Sequence, residues 1–133
     1  EVADFMIDNR STDSCELSNT AKKIKEILQA AAQESGCEVT IKELKKVEPV
    51  TFDENIRKII RQETEKLGYS YMELNSGAGH DAMIMASVAP AAMIFIPCKN
   101  GKSHCPEEYT TPEQLYKGAR VLCETLRRLS VEE

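Results

Sequence analysis

The chain contains no tryptophan, and aromatic residues of every kind make up only 5% of it. Whatever core it builds is therefore aliphatic. No apolar run reaches membrane-spanning length and no signal-peptide pattern is present, so a membrane partner is not expected. Basic clusters are missing too: the 17 Lys and Arg are scattered among 22 Asp and Glu, for a net charge of −5. That leaves no electrostatic footprint for a phosphate backbone, and nucleic acid is not expected as a partner. The five cysteines (15, 37, 98, 105 and 123) are odd in number and show no disulfide framework. Free thiols used as small apolar residues suit a reducing cytoplasm, which is the expected location. Histidine is scarce, with only His80 and His104. An initiator Met is absent, and Glu1 leads straight into a strand-like segment, the pattern expected of the tail of a longer protein.

What remains is ordinary globular material: 133 residues, 41% apolar and 29% charged, enough for one domain or two small ones. Val2 to Asp8 alternates, with Ala3, Phe5 and Ile7 on one face, as a half-buried antiparallel strand does. Asn9 to Ser14 is turn-like. A helix is expected from about Ser18 or Asn19, burying Leu17, Ala21, Ile24, Leu28 and Ala31 and ending at Ser35-Gly36. Val39 and Ile41 alternate against Glu38, Thr40 and Lys42, predicting a second strand that closes a strand-helix-strand unit by about Val47.

Pro49 interrupts all periodicity, so Glu48 to Phe52 reads as a linker and a domain boundary. Residues 1–48 and 49–133 are the expected domains. Asp53 is the expected N-cap of a helix with Ile56, Ile59, Ile60 and Leu67 on one face, ending at Gly68. Then come a short strand Tyr69 to Leu74, a glycine loop, a short helix from Gly79 or His80 to Ala89, and an apolar strand Ala92 to Ile96. Thr111-Pro112-Glu113-Gln114 reads as a helix start, with Thr as N-cap, Pro at the first position and Gln completing a capping box. Leu115, Ala119, Leu122, Leu126 and Leu129 are its expected buried stripe. The second half thus predicts an α/β layer with polar loops at strand ends.

Both histidines lie in such loops, Asn75 to Asp81 and Lys102 to Tyr109. The glycines of the first let backbone approach a ligand closely, and its amides can face an anion at the start of a short helix. The loop lacks the Lys-Ser/Thr of a phosphate loop and the spacing of a dinucleotide fingerprint, and on pattern alone it reads first as a tight turn with Asp81 as cap. His104 follows a buried strand and can reach a metal or substrate, or stand as a plain surface histidine. Cys98, His104 and Cys105 have the wrong spacing for a zinc knuckle. A Cys–His nucleophile pair has no local support. Arg10 offers a bidentate fork for a carboxylate, or pairs with Asp8 or Asp13 at the surface.

Four blocks in order, Asp8-Asn9-Arg10-Ser11, Ser76-Gly77-Ala78-Gly79-His80-Asp81-Ala82, Met93-Ile94-Phe95-Ile96-Pro97 and Ser103-His104-Cys105-Pro106-Glu107-Glu108-Tyr109-Thr110, resemble one family. It is the amidohydrolase branch of the aminoacylase and zinc carboxypeptidase superfamily: N-carbamoyl-L-amino acid hydrolases, allantoate amidohydrolases and ureidopropionases. The resemblance implies an α+β and α/β fold class. Residues 1–48 correspond to the strand-helix-strand end of a ferredoxin-like lid that also makes a homodimer, and residues 49–133 to the C-terminal α/β part of a dinuclear-metal catalytic domain.

By the same resemblance His104 is a metal ligand, His80 a catalytic residue, and Arg10, Gly79 and His80 bind substrate, with Arg10 on its carboxylate. Two divalent metals, Zn or Mn, serve the active site, and the substrate is a small carbamoyl or ureido acid. Cys105 departs from the family, which commonly has Asn there, and this bears on the support of His104. The remaining metal ligands and the catalytic glutamate of the family have no counterpart here, so a C-terminal fragment, inactive alone, is expected. Two rivals stand beside this reading: an aminoacylase or peptidase of the same superfamily, and a non-catalytic dimerisation or binding module.

Overall fold

A computed structural model describes residues 2–131. Its regular elements are helices α1 (Ser14–Ser35), α2 (Glu54–Lys66), α3 (Asp81–Met85) and α4 (Pro112–Leu129), with a single 3₁₀ turn at Lys99–Gly101 before α4. The chain divides into two compact units. One runs to Thr51 and takes in Asn75–Ala78; the other comprises Phe52–Leu74 and everything from Gly79 onward.

The first unit is built on α1. Asp13 caps it, its carboxylate accepting the Glu16 N–H at 2.7 Å. At the far end Gly36 takes φ 67, and the Cys37 N–H reaches the Ala32 carbonyl at 2.9 Å, the pairing a left-handed C-cap makes. The helix therefore starts four or five residues earlier than its apolar stripe predicts. Ser14 and Cys15 carry no hydrophobic signal, and the start is set by the cap and by Glu16 in the first turn. Of the expected buried stripe Leu17 is buried and Ala21, Ile24 and Leu28 are only half-covered; the stripe ends on Ala32, while Ala31 is exposed. The flanking segments are tied to α1 by side chains, Asn9 Nδ2 to the Leu17 carbonyl at 3.1 Å and Lys25 to Glu43 at 3.0 Å.

The second unit is held by α2 against α4. Asp53 caps α2 through the Ile56 N–H at 2.8 Å, and Gly68 at φ 71 turns the chain out of it. Thr111 caps α4 through the Gln114 N–H, with Pro112 in its first turn. Ile59 is 2% exposed, Val121 5% and Thr125 3%, and these three make the seam. Burying an isoleucine side chain to that degree contributes about 1.5–3 kcal/mol. At one edge Arg128 meets Gln62 at 2.6 Å and the buried Glu63 at 3.0 Å, and Lys66 meets Glu63 at 2.6 Å. Hydrogen bonds from Lys66 first and Arg128 second hold the Glu63 carboxyl below its ordinary pKa.

Two expectations are overturned here. The stripe Leu115, Ala119, Leu122, Leu126 and Leu129 is not the buried face of α4: Leu115 is 58% exposed and Leu126 57%. The packed face is Gln114, Gly118, Val121, Thr125 and Arg128, spaced alternately by four and three residues. It is less hydrophobic, but its small residues let backbone come close. A Cβ added to Gly118 would lie 2.3 Å from Ile96 Cγ2.

The strands are the second correction. Val2–Asp8, the segment from Val39 to Val47, Tyr69–Leu74 and Ala92–Ile96 are not strands, and no strand exists among the described residues. The strand-helix-strand lid is therefore not formed. Alternation sets which face of a segment is apolar, but a strand exists only when a neighbour about 4.8 Å away completes a ladder. Inter-segment backbone bonds here are isolated, such as Asp53 N to the Ala91 carbonyl and Lys99 N to the Tyr109 carbonyl. Phe5, Met72 and Leu74 lie exposed as a result.

Candidate functional site

Within the second unit the glycine loop delivers His80 to the N-cap of α3, at φ −137 and ψ 152, without a side-chain cap bond. The helix proper is shorter than expected. It ends at Met85, and turns carry the chain through Val88 N to Met85 O and Ala89 N to Met85 O towards Pro90. His80 is half-buried. Its ring stands edge-on to Phe95 with centroids 5.5 Å apart, and edge-on to His104 with centroids 6.0 Å apart. Three side chains from three separate segments thus meet. The sequence singled out both histidines, whereas Phe95 stood only within the apolar block 93–97 without a role of its own; its place in that block is the signal that could have flagged it.

His104 is exposed and takes φ 57. Its N–H donates to Glu108 Oε2 at 2.8 Å, and the Glu108 N–H donates to the Cys105 carbonyl at 3.0 Å. The base of this loop is closed by Lys99 N to Tyr109 O at 2.7 Å and by the Thr110 hydroxyl to the Pro97 carbonyl at 2.8 Å. Cys98 and Cys105 are half-buried free thiols, and Cys15, Cys37 and Cys123 are exposed free thiols. Gly79 has open space where a Cβ would stand, so its backbone is accessible to a ligand.

Arg10 belongs to the first unit. Its Nε and Nη2 both donate to Asp8 Oδ2, at 2.9 and 2.5 Å, and its Nη1 donates to the Gly77 carbonyl. The Arg10–Asp8 hydrogen bonding lowers the Asp8 pKa and raises that of Arg10. The guanidinium edge which would grip a carboxylate holds one already, with both partners more than half exposed.

Among the described residues no group of three or more His, Cys, Asp or Glu side chains could hold a metal ion. The chain offers a single exposed imidazole with a second beside it, which fits one position of a metal centre and not a complete one. No helix among the described residues is long and apolar enough to cross a membrane.

Residues 4–128 match Peptidase family M20/M25/M40. The chain is 40% identical over 118 residues to an N-carbamoyl-L-amino-acid amidohydrolase of Rhizobium meliloti, covering 89% of this chain and 28% of that protein. It is 33% identical over 126 residues to the allantoate amidohydrolase of Bacillus subtilis, covering 95% and 31%. The crystal structure of AtUAH in complex with glyoxylate superimposes with a TM-score of 0.80 at 34% identity, over 90% of this chain and 28% of that one. The chain therefore spans less than a third of the length of these relatives.

Proposed function

Because this chain belongs to Peptidase family M20/M25/M40, we propose that it is a C-terminal portion of a metal-dependent amidohydrolase that cleaves the ureido or amide C–N bond of N-carbamoyl amino acids or allantoate. The observation that carries this reading is the convergence of the chain's only two histidines, at 6.0 Å between ring centroids, from two separate polar loops.

In this proposal residues 1–48 belong to a lid domain that also joins two subunits, and residues 49–133 to the catalytic domain. His104 donates one imidazole to a centre of two divalent metals, Zn or Mn, whose other donors lie outside this chain. Such metals, when bound, make a hydroxide available at neutral pH and polarise the scissile carbonyl. The chain's own residues do the positioning. His80, seated against Phe95, stands beside the reacting group and orients the substrate there. Gly79 lets substrate approach the backbone. Arg10 takes the substrate carboxylate by exchanging it for Asp8, whose oxygen occupies the same guanidinium edge.

The test is turnover by the full-length enzyme, loaded in turn with Zn and Mn, on an N-carbamoyl amino acid and on allantoate, against N-acetyl amino acids and dipeptides. Release of the carbamoyl or ureido nitrogen, lost together with bound metal in His104→Ala, is expected. Cleavage of the acetyl or peptide substrates alone would replace this reading with an aminoacylase or peptidase.

A further inference from the structure

We propose that Glu108 is a positioning residue for His104, acting on its backbone and not on its ring. The proposal rests on the reading that His104 serves the site just described. Its first ground is conformation. His104 holds φ 57, in the left-handed region, where a residue with a β-carbon stays only when its surroundings keep it. Its near neighbours in the same region are Asn100 and Gly101, of which the glycine enters it without steric cost.

The second ground is the pattern of bonds. With one residue's side chain on the His104 N–H at 2.8 Å and the same residue's N–H on the Cys105 carbonyl at 3.0 Å, Glu108 clasps the peptide groups on both sides of the turn. The loop base is already closed by Lys99 to Tyr109 and Thr110 to Pro97, so the clasp removes the freedom left at the tip. Glu107 does not share the task, since it faces Lys102 at 3.7 Å on the exposed side. The consequence of the clasp is the direction of the imidazole, which is fixed against His80 at an interplanar angle of 68°. Without it residue 104 relaxes to negative φ and the ring turns away.

Having only two histidines makes the experiment clean. With the 133-residue chain labelled at histidine, NMR follows both rings, the contact between them, and exchange of the His104 amide. Glu108→Ala is expected to abolish the ring-to-ring contact and to speed His104 amide exchange at least tenfold, while the amides of Leu67 and Tyr69 at the end of α2 keep their rates. Glu108→Gln, which retains a side-chain carbonyl acceptor, restores both signals. Should Glu108→Ala not fold, Glu108→Asp serves in its place, keeping the charge but falling short of the amide. An intact His80–His104 contact in Glu108→Ala or Glu108→Asp overturns the proposal. So does equal loss of protection across α2 and α4, or a Gln variant that behaves like Ala. None of these readouts involves turnover, so a failure of the amidohydrolase reading is seen separately in the assay of the full-length enzyme.

Discussion

Gly118→Ala isolates the packing that holds α4 in place. On an open helix face the change stabilises, because glycine in a helix interior is about 0.8–1 kcal/mol less favourable than alanine. Here the added Cβ would lie 2.3 Å from Ile96 Cγ2 and 3.8 Å from Ile96 Cβ. Carbons settle at about 3.5–4.0 Å, so the first contact must open by more than roughly 1 Å. Isoleucine is stiff at χ1 and cannot swing clear cheaply, so either α4 shifts from the 92–96 segment or Ile96 leaves its rotamer. Overpacking of this kind costs about 1–3 kcal/mol. Set against the propensity gain, Gly118→Ala should destabilise by up to about 2 kcal/mol and lower Tm by several degrees. Urea denaturation followed by circular dichroism measures it. The double variant Ile96→Ala/Gly118→Ala supplies the control, with a favourable coupling of about 1 kcal/mol or more between the two sites. A single Gly118→Ala variant about 1 kcal/mol more stable than the parent, with no coupling to Ile96, would refute the close approach.

Thr125→Val should stabilise by about 1 kcal/mol, because the Thr125 hydroxyl is buried without a hydrogen-bond partner and a methyl of the same shape carries no desolvation cost; thermal melts that show a loss would reveal a partner for that hydroxyl. Since the Glu63 pKa is lowered in the fold, its ion pairs contribute fully above the ordinary glutamate pKa and are lost as pH falls through the folded value. Denaturation curves over the acid range should therefore be flatter for Glu63→Gln than for the parent. In the full-length enzyme Arg10→Ala should reduce kcat/KM for an N-carbamoyl amino acid about ten- to a hundredfold, the loss of a charge-assisted bidentate pair worth about 1.5–3 kcal/mol, with Arg10→Lys recovering only part. Near-normal kcat/KM would leave Arg10 as the surface partner of Asp8. After dialysis the 133-residue chain should retain well under one equivalent of zinc, since a lone imidazole gives no chelate; elemental analysis decides.

Much of this protein was legible from its residues because the signals were local. Asp53 and Thr111 cap helices as their spacing to Ile56 and Gln114 predicts, and Gly36 and Gly68 end helices at positive φ. The histidine loops stood out because both histidines fall beside glycines, prolines and ends of apolar runs, and the family was readable from four short blocks in order. What the sequence could not show was which of two faces a helix turns inward. α4 carries a leucine stripe and a stripe of Gly118, Val121 and Thr125, and hydropathy favours the first. Contact distance favours the second, since only small residues let α4 come this near to Ile96. The strands failed for a related reason. Alternation belongs to one segment, whereas a ladder belongs to two, and among the described residues no second segment stands in register. The meeting of His80, Phe95 and His104, and the hold of Glu108 on the His104 backbone, were likewise decided only in three dimensions. Side-chain type and spacing set local conformation, but proximity between distant residues depends on how whole helices pack.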